Sequence, residues 1–315
     1  MVIPGTVPFY TYHQYLKKVF GSPAQKLSIN TGLTCPNRDG TKGLNGCTYC
    51  NNKSFSPYYT DVKNSIANQL ERGMKKFAAK KNTPLFLAYF QSYSNTYSYV
   101  NSLREMYYEA LNYPGIKGIV ISTRPDCLNN EILDMLSEIA QKYYISIELG
   151  VESTEDETLK KINRCHTYND SIMAIKQVAS RGIPVGAHLI IGLPGENPET
   201  FVNHAKRLSQ LPISMIKMHH LQILKHTQMA NDYLQKPSEY SLLYPNEYKE
   251  IVINMLEEIP ENIVVQRFLN ESPAHLLIAP KWNGLKNYQF VNTLINTMNK
   301  QNTWQGKKIT EAHKD

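Results

Sequence analysis

Six short apolar runs alternate with helix-like segments along the first 225 residues of the chain. The runs are rich in β-branched residues and continuously apolar, which is typical of strands buried on both faces of a parallel sheet. They lie at residues 26–32, 84–90, 117–123, 143–150, 183–193 and 213–224. The helix-like segments between them lie at 61–81, 98–112, 129–141, 155–181 and 197–210. This order predicts an α/β fold with a (β/α)6 arrangement, either an open barrel or a doubly wound sheet.

The chain changes character after residue 225. A full (β/α)8 barrel needs about 250 residues of repeating units, and the repeat stops earlier here. The remainder carries a helical pattern at 245–258, a strand pattern at 262–268 and a second helical pattern at 285–300. We therefore expect a core over residues 1–225, which includes a short N-terminal extension, and a C-terminal α/β extension over 226–315 packed on it.

Polar residues gather directly after the predicted strands. Because the carboxyl ends of parallel strands meet at one edge of a sheet, this is where an α/β protein places its active site. The polar groups follow the second to sixth strands, at 91–97, 124–127, 152–153, 192–196 and 225–226. Loops are polar in any protein, but the repeated enrichment at one edge favours a site there.

The loop after the first strand, CPNRDGTKGLNGCTYC, holds Cys35, Cys47 and Cys50. Structural zinc takes four closed ligands, and the chain has no histidine between His13 and His166 to complete the set. A four-iron cluster bound by three thiolates instead of four leaves one iron open to a small molecule. The amine and carboxylate of S-adenosylmethionine (SAM) suit such a position, and its radical chemistry accompanies iron–sulfur centres. Zinc with a distant fourth ligand, or three unrelated cysteines, remain alternatives.

Composition indicates a globular protein of a reducing compartment. With 315 residues and 42% hydrophobic residues, the chain can bury a core. No apolar run approaches the roughly 20 residues that span a bilayer, and the first 20 residues lack a signal-peptide pattern. Five cysteines, an odd number, do not suggest a disulfide framework. We expect a cytoplasmic protein without membrane contact, whose net charge of +7 permits a polyanionic partner such as RNA.

A series of motifs extends from about residue 10 to residue 300. They are CPNRDGTKGLNGCTYC, YFQSYSNTY, STRPDCL, ELGVES, LKKINRCHTY, HLIIGLPGE, IKMHHLQILKHTQMA and LLIAPKW. With these motifs the chain resembles the radical SAM superfamily, and within it the bacterial YhcC/YtqA group, relatives of the radical domain of the Elongator catalytic subunit. The common superfamily loop is C-x3-C-x2-C, whereas eleven residues separate Cys35 from Cys47 here, a departure that the group shares. Cys165 stands where the resemblance leads us to expect glycine.

The resemblance implies a partial TIM barrel. It also implies roles for particular residues within the motifs. Cys35, Cys47 and Cys50 would hold a [4Fe–4S] cluster. The implied contacts to SAM are Tyr49 and Gly192 near the adenine, Gln91 and Ser92 at the methionine amino group, Glu148, Glu152 and Ser153 at the ribose and methionine, and Arg164 at the methionine carboxylate. A paired structural carboxylate is the alternative for Glu148, and a simple turn for Gly192. Cys127 is a candidate hydrogen-atom donor, or else a small buried residue.

The resemblance also implies a substrate. The Elongator relation points to the wobble uridine of tRNA, and YtqA-type relatives resemble enzymes that convert 5-carboxymethylaminomethyluridine towards 5-aminomethyluridine. A flavodoxin- or ferredoxin-type electron donor and a tRNA methyltransferase acting next would be partners. The basic segment 72–81 and the tyrosines of 93–99 offer phosphate and base contacts. The alternatives are a radical SAM enzyme for a small molecule or protein, and a non-catalytic iron–sulfur or zinc protein that binds RNA or senses redox state.

Overall fold

The computed structural model describes residues 7–77 and 85–312, and in this part of the chain helices and strands alternate. The helices are α1 Tyr12–Phe20, α2 Ile66–Phe77, α3 Val100–Leu111, α4 Asn130–Ala140, α5 Asp156–Lys161, α6 Tyr168–Ser180, α7 Pro198–Ser209, α8 Gln228–Gln235, α9 Pro245–Glu257, α10 Asn287–Lys300 and α11 Lys307–Ala312. The strands are β1 Ala24–Ile29, β2 Leu85–Phe90, β3 Ile116–Thr123, β4 Tyr144–Glu152, β5 Val185–Ile191, β6 Met215–His220, β7 Ile223–Leu224, β8 Val264–Val265 and β9 Leu277–Ala279.

Seven parallel strands form one curled sheet, a half-barrel, in the order β1–β2–β3–β4–β5–β6–β8. The predicted α/β fold with a partial TIM barrel is therefore confirmed. The sequence analysis expected six strands in the barrel, and the seventh comes from the C-terminal region, where Val264 and Val265 pair with β6. The strand predicted at 262–268 is therefore shortened to Val264–Val265, and its place in the barrel sheet was not predicted. The sheet thus continues past the boundary predicted at residue 225, and the division into two parts stays a prediction.

Two predicted segments are divided in the structure. The helix predicted over 155–181 is α5 and α6, because Asn163 and Cys165 have φ of 51° and 55° and so cannot continue a right-handed helix. The strand predicted over 213–224 ends at His220, and the short β7 that follows pairs antiparallel with β9. Residues 78–84, which include the end of the predicted helix 61–81 and of the basic segment, lie outside the described residues.

The two faces of the sheet differ in polarity, and this difference locates the site. Side chains alternate between the faces along each strand. Helices cover the outer face, whose buried core includes Leu27, Phe90, Ile121, Ile147, Leu189 and Met218. The inner face carries polar side chains, which parallel pairing places side by side: Ser122 beside Glu148, and His188 beside Lys217. The apolar runs in the sequence therefore contain a polar inner row.

Helix α1 closes the half-barrel at the end where the strands begin. Its Leu16 packs with Leu87, Tyr89 and Val120 in a small separate core, and Phe20 packs edge-on against Tyr144, the first residue of β4. Helix α1 is not among the helices predicted from the sequence. The Thr11–Gln14 capping box at its start and Gly21 at its end are the local signals of this helix. Within residues 7–77 and 85–312, no helix is both long and apolar enough to cross a membrane.

Candidate active site at the cysteine loop

A cavity with about 1120 Å³ of empty space, part of it open to solvent, lies inside the half-barrel at the carboxyl ends of the strands. The structure brings together seven residues that the sequence analysis assigned to the site. They line the cavity and are Cys35, Cys47, Cys50, Tyr49, Gln91, Glu152 and Arg164.

The eleven residues between the first two cysteines reach across the ends of the neighbouring strands. The Thr41 hydroxyl lies 2.8 Å from the hydroxyl of Tyr97, in the loop after β2. The Lys42 ammonium lies 2.8 Å from the carboxylate of Asp126, after β3. The long first gap therefore fastens the cysteine loop to two adjacent strand ends.

Asn163, in the loop between α5 and α6, holds the second half of the same loop. Its side-chain Nδ2 donates to the Gly46 carbonyl at 2.8 Å, and its own carbonyl accepts a hydrogen bond from Nδ2 of Asn37. These bonds fix the α5–α6 loop against the cysteine loop. As a result, the next residue, Arg164, lies against Cys47.

Arg164 connects a cysteine to the end of β4. Its Nη1 donates to Sγ of Cys47 at 3.4 Å, and its Nη2 donates to the Gly150 carbonyl at 2.6 Å. Nη2 also lies 3.6 Å from Oε1 of Glu152. A Cβ on Gly150 would lie 2.6 Å from Nη2, so glycine is needed there for the guanidinium to approach the strand.

A β-bulge directs Glu152 into the cavity. The register between β4 and β5 shifts between Gly150 and Glu152, and Glu152 has a φ of 68°, in the left-handed region that side chains avoid. Burial raises the pKa of Glu152, while the charges of Arg164 and Lys217 oppose the shift. Its Oε2 finds no hydrogen-bond donor within the described residues. A ligand that donates a hydrogen bond there would relieve the cost of burying this oxygen.

The three cysteine thiols are free, and their environment suits a cationic centre. Burial, with the neighbouring Cys50, raises the pKa of Cys35 to about 12. Burial and Cys47 likewise raise the pKa of Cys50. Three adjacent thiolates therefore need positive charge beside them, and a metal centre supplies it while deprotonating the thiols.

A side-chain amide donates a hydrogen bond to each of two of the sulfur atoms. Nδ2 of Asn37 lies 3.6 Å from Sγ of Cys47, and Nδ2 of Asn52 lies 3.6 Å from Sγ of Cys50. Such donors stabilise cluster thiolates and tune their potential. Among the described residues, no three His, Cys, Asp or Glu side chains gather closely enough for a single metal ion. A four-iron cluster binds its thiolates through different irons, so it does not require them to converge on one point.

Glu148 lies beneath the cavity in an ion-pair network. Its Oε2 accepts a hydrogen bond from the Tyr89 hydroxyl at 2.7 Å and lies 3.2 Å from the Lys217 ammonium, and Lys26 pairs with Oε1. Burial alone would raise the pKa of Glu148, but Lys217 and Lys26 hold it well below its usual value. The ionised carboxylate therefore positions Lys217, which lines the cavity. The SAM contact predicted for Glu148 stays a prediction.

Four further predicted residues are not part of the cavity lining. The buried Ser92 contacts the Ser56 hydroxyl at 3.2 Å, and Ser153 donates to Glu196 at 2.5 Å. Gly192 occupies a turn with a φ of 99° after β5. Burial raises the pKa of Cys127 to about 11, and its thiol does not line the cavity. The roles predicted for these four residues stay predictions.

Sequence reasoning assigned no role to the cavity wall formed by β5, β6 and the residues after β8. There, His219 contacts two cavity residues: its Nδ1 lies 3.1 Å from Nε2 of His188, and its Nε2 lies 2.6 Å from Nη2 of Arg267. A guanidinium can only donate, so Nε2 of His219 accepts and Nδ1 carries the proton that it donates to His188. Burial lowers the pKa of both histidines, so they are neutral. The signal that was available is a charged residue, Arg267, within the strand pattern predicted at 262–268.

Comparison with known proteins identifies the family. The model of the radical SAM superfamily matches residues 29–208, which include the cysteine loop and Arg164. The chain belongs to the radical SAM superfamily. The model of the radical SAM C-terminal domain matches residues 213–300. Membership implies a [4Fe–4S] cluster and SAM as cofactors, and the free cysteines with their donors fit the cluster.

Individual relatives agree with this membership. YtqA of Bacillus subtilis (strain 168), an uncharacterized protein, is 30% identical over 299 residues, which is 95% of this chain and 92% of YtqA. A tRNA uridine(34) acetyltransferase of Methanocaldococcus jannaschii is 28% identical over 164 residues, 51% of this chain and 29% of that protein. The structure of Methanocaldococcus infernus Elp3 with an N-terminal deletion gives a TM-score of 0.65 at 17% identity, over 90% of this chain and 64% of that chain. The match to Elp3 shows a shared fold.

Proposed function

We propose that this radical SAM protein modifies the wobble uridine of tRNA, converting 5-carboxymethylaminomethyluridine towards 5-aminomethyluridine. One observation carries the radical SAM chemistry of this proposal: Cys35, Cys47 and Cys50 line the same cavity as Glu152 and Arg164 in a chain of this superfamily. Cys35, Cys47 and Cys50 would hold the cluster, which would supply the electron for reductive cleavage of SAM and thereby for hydrogen-atom abstraction from the substrate.

In this proposal the residues of the cavity bind and orient SAM. The Arg164 guanidinium holds the methionine carboxylate, for which its planar, permanently charged group is suited. Oε2 of Glu152, which lacks a donor among the described residues, accepts from a ribose hydroxyl or the methionine ammonium. Ile190 and Leu221, which line the cavity, provide apolar surface for the adenine. Together these contacts hold the sulfonium beside the cysteines and keep water away from it.

Three observations support tRNA as the substrate. A relative named as a tRNA uridine(34) acetyltransferase matches half of the chain. In addition, two tyrosines follow β2: Tyr93 lines the cavity, with the Arg38 guanidinium 5.7 Å from the ring centre, and Tyr99, at the start of α3, is 87% exposed. Aromatic rings beside arginine are the usual stacking partners of an unpaired base. The net charge of +7 favours binding of the phosphate backbone.

The proposal includes the partners and location that this chemistry requires. A flavodoxin- or ferredoxin-type protein delivers the electron, and a tRNA methyltransferase acts on the 5-aminomethyl product. Both reactions take place in the cytoplasm. After hydrogen abstraction from the methylene of the carboxymethyl group, loss of one further electron would give an imine, with the oxidised cluster as the electron acceptor. Hydrolysis of this imine would release glyoxylate and the primary amine, which is the group that a methyltransferase can modify next.

Nucleoside mass spectrometry of tRNA from a strain that lacks the gene tests this function. We expect 5-carboxymethylaminomethyluridine to accumulate and the aminomethyl-derived nucleosides to disappear. Wild-type protein should restore the profile, and Cys47→Ala should not. An unchanged wobble-uridine profile would contradict the tRNA substrate and favour a small molecule or protein. Bound zinc without SAM cleavage would contradict enzymatic activity altogether.

A further inference from the structure

Arg267 lines the cavity, and its guanidinium has no acidic partner among the described residues. Its backbone carbonyl accepts a hydrogen bond from the amide of Met218 at 3.0 Å, which places it beside β6. Within residues 7–77 and 85–312, no carboxylate oxygen lies within 4.0 Å of its guanidinium. The carboxylates of Glu148 and Glu271 act on it from a greater distance and are themselves paired with lysines. A guanidinium held in a cavity without a counter-charge is costly unless a ligand provides one.

The hydrogen bonds of Arg267 leave one nitrogen of the guanidinium, Nη1, available. Nε and Nη2 donate to Nε2 of His219 at 3.2 and 2.6 Å, and Nη2 lies 3.4 Å from Oδ1 of Asn270. Both acceptors are neutral, so they orient the guanidinium without compensating its charge. For Nη1, no hydrogen bond is found in the part of the chain that the structure describes. Nη1 is therefore the atom that a ligand can contact.

Lys217 adds a second cation to the same wall. It lies on β6 two residues before His219, on the same face of the strand, and it lines the cavity. Its partner Glu148 is shared with Lys26. The Glu148 carboxylate is thus the single negative charge beside three cations, which are Lys26, Lys217 and Arg267. This group carries an excess of two positive charges. Glu152, also on the cavity wall, is paired with Arg164.

We propose that Arg267 and Lys217 form a subsite for a carboxylate of the substrate, distinct from the methionine carboxylate of SAM. This inference rests on the proposed function, because the 5-carboxymethylaminomethyl group ends in a carboxylate. A guanidinium nitrogen with an adjacent ammonium forms charge-assisted hydrogen bonds to such a group. The 5-aminomethyl product lacks the carboxylate and carries a cation, which the two residues repel. The subsite therefore selects the substrate and favours release of the product.

The test compares three anticodon stem-loops that carry 5-carboxymethylaminomethyluridine, its methyl ester, or 5-aminomethyluridine. Binding is measured by fluorescence anisotropy on reconstituted holoenzyme with SAM and without reductant. Because a hydrogen-bonded charge contributes about 1.5–3 kcal/mol, wild-type protein should prefer the acid to the ester and the amine by roughly 10- to 100-fold. Arg267→Gln should reduce this preference to within about threefold, and Arg267→Lys should retain part of it. Arg104→Gln, on the outer helix α3, is the matched control and should keep the full preference.

Each possible outcome decides the proposal. Equal affinity of wild-type protein for acid and ester, or no binding of either, overturns the subsite. If Arg267→Gln keeps the preference for the acid over the ester and the amine, the subsite is also overturned. If this variant keeps the preference but binds SAM more weakly, Arg267 belongs to the cofactor site instead. If Arg267→Gln does not fold, the affinities of wild type and Arg267→Lys for the acid and its methyl ester are compared instead, and this comparison tests the subsite. Failure of the proposed function is distinguishable: the acid would bind with preference, yet reductant would leave it unconverted.

Discussion

Arg164 donates a hydrogen bond from Nη1 to Sγ of Cys47, 3.4 Å away. The same guanidinium contacts the Gly150 carbonyl and the Glu152 carboxylate. A single side chain therefore joins the cysteine loop to the end of β4 and to the buried carboxylate of the cavity. Its position depends on the α5–α6 loop, which Asn163 fastens to the cysteine loop.

Replacing Arg164 with lysine should weaken SAM binding by roughly 10- to 100-fold. An ammonium keeps the charge that Glu152 needs but cannot contact a carboxylate through two parallel hydrogen bonds. The measurement is equilibrium dialysis of SAM against anaerobically reconstituted protein. Arg104→Lys, on the outer helix α3, should bind SAM as the wild type does. A SAM affinity within twofold of wild type in Arg164→Lys would rule out this role.

Alanine at Cys35, Cys47 or Cys50 should remove most of the roughly four irons per chain that a reconstituted [4Fe–4S] protein holds. Each of these thiols lines the cavity, and losing one leaves the cluster with two protein ligands. Iron analysis and the visible absorption spectrum after anaerobic reconstitution check this. Cys127→Ala and Cys165→Ala are matched controls outside the ligand set and should keep the full iron content. Full iron in Cys47→Ala would refute the assignment of the ligands.

Asp126→Asn should lower the free energy of unfolding by about 3 kcal/mol, because it leaves the Arg124 guanidinium without its buried counter-charge. Nε and Nη2 of Arg124 each lie 2.9 Å from the Asp126 carboxylate. Burial opposes ionisation, but Arg124 and then Lys42 lower the pKa of Asp126 to about 2. The ionised carboxylate therefore stabilises the fold above about pH 4, and this contribution is lost as the pH falls towards 2.

Calorimetry of the asparagine variant should show a melting temperature about 4–5 °C lower than wild type at pH 7. Lys42→Met removes the more exposed partner of Asp126 and should cost about 1 kcal/mol or less. Equal losses in the two variants would show that the Arg124–Asp126 pair is not the source of the stability.

Activity on tRNA should fall as the pH rises above about 8. Burial lowers the pKa of Lys217 to about 8, although Glu148 opposes the shift. If the ammonium form binds the substrate carboxylate, kcat/KM should decrease above that pH as Lys217 loses its proton. Lys217→Arg keeps its charge throughout and should give a flat profile between pH 7 and 9. A wild-type profile that is flat over this range would contradict the role of Lys217.

The same titration has the opposite effect on stability. In the unfolded chain lysine keeps its proton up to about pH 10.4, whereas folded Lys217 loses it near 8. The unfolded state therefore binds more protons between these values, and the contribution of Lys217 to stability rises with pH. Circular dichroism at each pH should show folded protein, so a loss of activity above pH 8 would not reflect unfolding of this origin.

The approximate positions of the first six strands and the cysteine loop could be predicted from the sequence because both are local signals. Continuous apolar runs and the spacing of Cys35, Cys47 and Cys50 need no knowledge of distant residues. The polar inner face could not be predicted in the same way. Lys26 and Lys217 are 191 positions apart, and only closure of the half-barrel brings both to Glu148.

Two features that could not be predicted from the sequence, the pairing of β8 with β6 and the end of the helix before Arg164, share a physical cause. A strand was predicted at 262–268, where β8 lies, but nothing local shows that it pairs with β6, so Arg267 could not be assigned to the cavity. The segment around Arg164 has a helical composition, and only the left-handed φ of Asn163 and Cys165 ends the helix there. In both cases a tertiary contact overrides the local pattern.

The most direct test of the account is an assay in vitro with reconstituted protein, SAM, a reductant and tRNA from the deletion strain. We predict 5′-deoxyadenosine, together with conversion of 5-carboxymethylaminomethyluridine to 5-aminomethyluridine in the tRNA, and neither product with Cys47→Ala. Cleavage of SAM at the same rate with and without tRNA, with the wobble nucleoside unchanged, would contradict the account.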